Sequence, residues 1–323
     1  MKPRLLSGIQ SSGLPHIGNY FGAMKQFVDL QDRYECFVMV ADYHALTTIK
    51  DAEELRGNIF EVVMDYLAIG LDPEKVSLFK QSDVSEHTEL AWIFECLVTV
   101  PFLMQAHAYK DKVAKGLEAN AGLFNYPMLM AADILLYSPD VVPVGEDQRQ
   151  HIEYAREAAA KFNHAFGETF KEPHELIVEG VGTVPGTDGR KMSKSYKNTI
   201  PLFADDATLR SAVMSIQTDS KGVEEPKDPE ACNVFAIHKL VSGGPELAEI
   251  RDRYEAGGIG YKESKDILFK NLSTFIAPLR ERRTTLEKDP GFVLDVLREG
   301  GKRAKEVAAA KMEEVRKRVG VGL

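Results

Sequence analysis

Cysteine is scarce. Three thiols, Cys36, Cys96 and Cys232, are scattered through 323 residues with no CxxC pair. That excludes a disulfide framework and a cysteine zinc site, and the three read as small, buried apolar side chains. Long apolar runs are missing as well. None approaches the roughly 18 residues needed to cross a bilayer, since even Met128–Tyr137 is broken by Asp133. Met1-Lys2-Pro3-Arg4 leads into only two apolar positions before Ser7 and Gly8. This is not the pattern of a secretory signal, so the expected compartment is the cytoplasm, with no membrane partner. Positive charge is not in excess either. Lys and Arg number 40 against 49 Asp and Glu, a formal balance of −9. A general polyanion-coating protein is excluded, but not a nucleic-acid partner that meets a local basic patch. Residues 294–323 carry eight Lys or Arg against five Asp or Glu, which reads as a solvated helix face.

What is present is an ordinary globular composition, 44% hydrophobic and 28% charged, in a chain long enough for one large domain or two ordinary ones. Short apolar runs alternate with amphipathic stretches. Arg4–Ile9, Cys36–Ala41, Val76–Phe79 and Val141–Val144 read as strands; helices are expected from Ile17 toward Gln31, over Ala52–Ile69 and from about Glu146 to Phe162. Strands separated by such helices indicate a parallel sheet covered on both faces. The section Glu86–Tyr137 is too long for a simple crossover and reads as a helical insertion. It carries Trp92, Phe94, Leu97, Val98, Val100, Phe102 and Leu103, more apolar surface than a crossover needs. Beyond Pro201 the pattern turns helical: Asp205–Val213, Ala231–Val241, Glu246–Ala256, Tyr261–Glu287 and Pro290–Arg318, with breaks at Gly257-Gly258 and Gly300-Gly301. The expected fold is α/β: a parallel-sheet domain over 1–195, interrupted by the insertion at about 86–140, then a mostly α-helical domain over 196–323 whose last helix packs back on the first.

Two segments carry chemistry. The first, Gly8 to Asn19, is a Gly-rich strand-to-helix turn that delivers His16 and Asn19 to a helix start. Glycine allows close backbone approach, and free helix N–H groups suit phosphate; taken alone, tight packing explains such a turn equally well. The second is Gly189-Arg190-Lys191-Met192-Ser193-Lys194-Ser195. Two lysines and two hydroxyls in a short loop suit a mobile clamp on polyphosphate.

Together these strings resemble the signatures of class I aminoacyl-tRNA synthetases, with His16-Ile17-Gly18-Asn19 as the HIGH element and Lys191–Ser195 as an unmodified KMSKS element. Gly8-Ile9-Gln10, Met130-Ala131-Ala132-Asp133-Ile134-Leu135 and Val142-Pro143-Val144-Gly145-Glu146-Asp147-Gln148 narrow the resemblance to the bacterial tryptophanyl-tRNA synthetase family, over nearly the whole chain.

That resemblance implies a Rossmann-like catalytic domain that couples L-tryptophan to ATP and passes it to tRNA(Trp). It implies no protein nucleophile, so positioning and charge stabilisation do the work. Gln10, Ser11, Ser12, Gly18 and Asn19 would line the ATP site, with Gly145, Glu146, Asp147 and Val184 around the nucleoside. His16 and Asn19 would donate to phosphate. Lys191 and Lys194, within a loop that also supplies Met192, Ser193 and Ser195, would hold the pyrophosphate end, with Mg²⁺ shared among phosphates and no metal held by the protein. Asp133 would accept the indole N–H between Leu6, Gly8, Met130, Val142 and Val144, and Gln10, Tyr126 and Gln148 would surround the amino group. His44 fits the pocket or a structural strand end equally well. The helical domain would read the anticodon, and the insertion would form a homodimer in which one tRNA touches both subunits. An iron–sulfur cluster is not expected, since Cys232 stands alone in the C-terminal region.

Three positions depart from the family pattern. Asn19 replaces the last histidine of HIGH, no proline follows Gln10, and Leu6 stands where an aromatic is frequent. The competing readings are a tyrosyl-tRNA synthetase, a non-catalytic synthetase-like regulatory module and a nucleotidyltransferase that makes adenylylated cofactors.

Overall fold

The computed structural model describes residues 2–9, 13–116, 118–143, 149–176 and 184–322. Its centre is a parallel sheet. β1 (Arg4–Ile9), β2 (Glu35–Val40) and β3 (Val76–Lys80) pair in register, Leu6 beside Phe37 and Val38 beside Leu78. On the other edge of β1, Leu5 bridges Val141 and leads into β4 (Val142–Pro143), which pairs with β5 (Glu175–Leu176). The chain therefore runs outward from β1 in one direction and later returns to its opposite side. The reversal opens a crevice beyond the carboxyl ends of β1 and β4, the place where open α/β sheets bind ligands.

Both faces of the sheet are buried, which is why the strands are almost continuously apolar. Leu5, Ile9, Val38, Val40, Val76 and Leu78 face one core, together with the helical stretch 17–30 and the C-terminal helices. Leu6, Phe37, Met39 and Phe79 face the other, against the insertion and the Arg149–Phe166 helix. The stretch 17–30 is not uniform. An α-helical turn, Ile17–Asn19, passes into a π-helical segment, Tyr20–Met24, before Lys25–Leu30 resumes the α form. π-turns of this kind concentrate at functional sites.

The insertion consists of helices Glu86–Glu95, Val100–Leu103, His107–Ala114 and Ala121–Leu135. Its apolar residues divide: Phe94 and Leu103 enter the core, whereas Trp92 is 68% exposed, with Val100, Met104 and Val113 also at the surface.

The expected break at Gly300-Gly301 does not exist, because Pro290–Val319 is a single helix. Those glycines serve contact instead. A Cβ on Gly300 would collide with the Leu78 carbonyl, and one on Gly301 would stand 3.3 Å from Asp83. The helix backbone thus lies directly on β3, and Arg303 donates to the carbonyls of Pro73 and Val76 and to Ser77 Oγ. An edge strand that would otherwise invite pairing is covered. Gly257 and Gly258, at φ of +84° and +101°, do end a helix.

Candidate active site

At the crevice lies a cavity of about 440 Å³. β1 contributes Leu6 and Gly8, the helix after β1 contributes Asn19, and the insertion contributes Tyr126, Met130 and Asp133. His44, Val142 and Lys194 complete the set of expected residues that line it. Sequence reasoning did not anticipate Phe27, Asp65, Tyr66 or His151 on the same walls. The expected residues Gln10, Ser11, Ser12, Val144, Gly145, Glu146, Asp147 and Gln148 lie outside the described residues.

His16 closes a reciprocal cap. Its Nδ1 accepts from the Asn19 backbone N–H at 3.2 Å, while its own N–H donates to Asn19 Oδ1 at 3.1 Å. A ring nitrogen that accepts carries no proton, so in the neutral imidazole the proton sits on Nε2. Burial first, and then the positive charge of Lys194, bring the His16 pKa down to about 4. At neutral pH the residue is therefore an uncharged N–H donor. Asn19, in place of the motif's last histidine, supplies the other half of this cap.

The two motifs touch at Gly18. A Cβ there would fall 2.9 Å from His16 Nδ1 and 3.1 Å from Met192 Cβ, so only glycine lets the helix start and the lysine loop pack this closely. The connection is reinforced by backbone hydrogen bonds from Ile17 to Ile200 and from Leu202 to Pro15. Met192 is buried, and its N–H donates to the Val184 carbonyl. Val184 is itself buried and is not among the cavity-lining residues. The loop is organised by Asn198, 2% exposed, which accepts from Ser193 N–H at 2.8 Å and donates to Asp188 at 2.6 Å and to the Lys191 carbonyl at 3.2 Å. Ser193 and Ser195 share a hydroxyl hydrogen bond of 2.8 Å, and Lys191 lies exposed outside the cavity. Lys194 reaches in; its Nζ would be 3.5 Å from a Cβ on Gly13. Partial burial lowers its pKa, and the charge of Asp65 opposes that shift.

At the other end, Asp133 is 3% exposed on the Ala121–Leu135 helix. Its carboxylate meets three neighbours. Oδ1 accepts from Gln81 Nε2 and meets His87 Nδ1, both at 2.7 Å, and Oδ2 meets His44 Nε2 at 2.8 Å. Burial alone would raise its pKa, but the hydrogen bonds from His44 and His87 outweigh it and bring the group down to about 2. The carboxylate is thus ionised, buried and aimed into an apolar cavity, an arrangement that favours one uncharged donor of matching shape. Near it, Tyr126 Oη lies 3.2 Å from His151 Nε2.

Residues 1–277 match the family described as tRNA synthetases class I (W and Y). A tryptophan–tRNA ligase of Fusobacterium nucleatum is 51% identical over 98% of both chains. This chain belongs to the tryptophan–tRNA ligases. A Campylobacter jejuni relative of the same name is 45% identical over 98% of this chain and the whole of its own. The tryptophanyl-tRNA synthetase crystal structure from that organism, described as complexed with ADP and tryptophane, superposes with a TM-score of 0.92 over 98% of this chain and 99% of that one. The Mycoplasma pneumoniae synthetase, at 29% identity, superposes at 0.82.

In this family frame His44 belongs to the cavity rather than to a strand end, since it both lines the cavity and binds Asp133. The residues that sequence reasoning missed, Gln81, His87 and Tyr137, sit behind Asp133. His87 is wholly buried in an insertion helix with no motif to mark it. The sole signal was an expensive carboxylate in an apolar run, which requires buried donors somewhere.

Proposed function

We propose that the cavity activates L-tryptophan with ATP and that the chain then esterifies tRNA(Trp). In the first step a carboxylate oxygen of tryptophan attacks the α-phosphorus of ATP in line, the bond to the β-phosphate oxygen breaks, and tryptophanyl-adenylate and pyrophosphate form. In the second, a hydroxyl of the 3′-terminal ribose attacks the acyl carbon and AMP leaves. The observation that carries this reading is the ionised, three-donor Asp133 at one end of an apolar cavity whose other end holds Lys194 and opens beside the neutral His16 cap. The indole N–H is the one polar atom of that ring, and Asp133 Oδ2 accepts it.

Each side chain has one task. Leu6, Met130 and Val142 exclude water from the ring, and His151 with Tyr126 faces the polar end of the amino acid. His16 Nε2–H donates to phosphate without adding charge, whereas Lys194 and Lys191 neutralise charge that grows on the departing pyrophosphate. This donor set of ammonium groups, a ring N–H and helix-start amides suits oxygen anions rather than a cation, so Mg²⁺ is held by the phosphates, where it offsets their charge. Ser11, Ser12, Gly145, Glu146 and Asp147 are assigned to the nucleotide, Gln10 to the nucleotide and the amino group, Gln148 to the amino group, and Val144 to the apolar wall around the indole. The 1–195 portion is the catalytic unit and 196–323 the anticodon-reading unit, working in the cytoplasm. The surface-exposed Trp92, Val100, Met104 and Val113 of the insertion form the contact of a homodimer.

Amino-acid-dependent ATP–pyrophosphate exchange tests the reading. Tryptophan should support exchange and the other proteinogenic amino acids should not; exchange with tyrosine and none with tryptophan would assign the pocket to the other branch of the family.

A further inference from the structure

Three residues that do not line the cavity are tied to Asp133 from behind. Gln81 and His87 both engage Oδ1 at 2.7 Å, and His87 Nε2 lies 2.9 Å from Tyr137 Oη. All three are wholly buried. The His87 ring completes a three-ring cluster, with centroids 6.3 Å from Phe79 and 5.6 Å from Tyr137, which are themselves 5.7 Å apart. Burial and the Asp133 charge push the Tyr137 phenol upward, so it keeps its proton. Its O–H donates to Nε2, which leaves the imidazole proton on Nδ1, pointed at Asp133.

A count of acceptor positions gives this chain a purpose. An ionised carboxylate offers about four. Among the described residues, Gln81 and His87 fill both positions of Oδ1, and His44 takes one of Oδ2. The position that remains belongs to Oδ2, the oxygen that shares the cavity side with His44. A carboxylate without such bracing turns readily about its last torsion and would have to be ordered each time a ligand arrives.

We infer that His87, oriented by Tyr137 and seconded by Gln81, is a specificity-determining positioning residue: it saturates Asp133 Oδ1 and fixes the carboxylate so that a single acceptor position on Oδ2 is presented to the substrate's N–H. The inference rests on the assignment of Asp133 to the indole. Packing alone does not account for the imidazole, because a buried site against two aromatic rings is filled at lower cost by an apolar side chain than by one that must be satisfied at both nitrogens.

The test compares two substrates in ATP–pyrophosphate exchange: tryptophan and its benzothienyl isostere, in which sulfur replaces the N–H. In the wild-type enzyme the kcat/KM ratio should favour tryptophan by about a hundredfold or more. His87→Leu should lower kcat/KM for tryptophan by about tenfold or more, mainly through KM, and leave the isostere within about twofold, so that the ratio collapses. His87→Asn, whose amide can reach Oδ1 with an N–H, should restore most of the ratio. Tyr137→Phe, which removes one oxygen from a stably packed ring, should lower it several-fold, and keeps the inference testable if His87→Leu does not fold. Equal losses for both substrates, or an unchanged ratio in His87→Leu and Tyr137→Phe, would overturn the positioning role while leaving the pocket assignment intact. A wild-type enzyme that fails to distinguish the two substrates would overturn that assignment, and the inference with it.

Discussion

Replacing Arg283 by methionine should destabilise the protein strongly at alkaline pH and much less in mild acid. Arg283 belongs to the Tyr261–Glu287 helix and meets three carboxylates: Asp65 at 2.8 Å through Nε, and Glu61 and Glu287 through its two terminal nitrogens. Asp65 is buried against the cavity, with a side-chain exposure of 2%, whereas Glu61 and Glu287 keep 41% and 46%. The energetics therefore reside in the Asp65 pair. Burial raises the Asp65 pKa from 3.8 to about 6, even though Arg283 pulls the other way. The folded state thus holds that proton more tightly than the unfolded chain. Its stabilising contribution is full below about pH 4 and is lost as pH rises through 6, at a cost of about 3 kcal/mol. Without the guanidinium the ionised form becomes costlier still, since losing one partner of a buried pair typically costs about 3–5 kcal/mol. Urea unfolding at pH 8 should show a loss of that order for Arg283→Met, and at pH 5, where Asp65 is protonated, well under half of it. Arg283→Met with Asp65→Asn should recover most of the alkaline loss. An equal loss at both pH values, or no rescue in the double variant, would refute the assignment of the cost to an uncompensated carboxylate.

Lys194→Ala should lower the rate of adenylate formation by about two to three orders of magnitude, the scale of one preorganised donor aimed at growing charge, with the KM for tryptophan nearly unchanged; exchange at the wild-type rate would remove Lys194 from the step. The His16 imidazole, followed by NMR, should titrate near pH 4. Because the unfolded chain takes up that proton first, near 6.5, this residue's contribution of about 3 kcal/mol is complete above pH 6.5 and lost as pH falls toward 4. A midpoint at 6 or above would contradict the buried, capped geometry. Light scattering at micromolar concentration should give about 72 kDa, twice the 35.9 kDa chain, and Trp92→Lys should shift it toward the monomer; a wild-type mass of one chain would rule out the proposed contact.

Strand alternation and motif order made the fold legible, because a sheet buried on both faces leaves apolar runs that only a covered parallel arrangement explains. The error at Gly300-Gly301 is instructive. Locally, paired glycines weaken a helix; here contact with the Leu78 backbone outweighs propensity, and a sequence does not display which strand a helix will rest on. At the site, the motifs marked His16, Asn19 and Lys194, since each belongs to a short string of unusual composition. The groups behind Asp133 were silent. His87 is one polar residue in an amphipathic helix, Gln81 follows a strand, and Tyr137 closes an apolar run; only the fold brings them to one carboxylate. Asp65 and Arg283 were silent for the same reason, being more than two hundred positions apart.

The most direct test of the central claim is the kcat/KM for tryptophan in ATP–pyrophosphate exchange by Asp133→Ala, with the KM for ATP measured alongside. An indole N–H buried without its acceptor costs about 1–3 kcal/mol, and the three donors left facing a vacancy add to it. The account predicts a loss of at least about a hundredfold for tryptophan, with the KM for ATP little changed. Tryptophan activation at a rate near that of the wild type would contradict it.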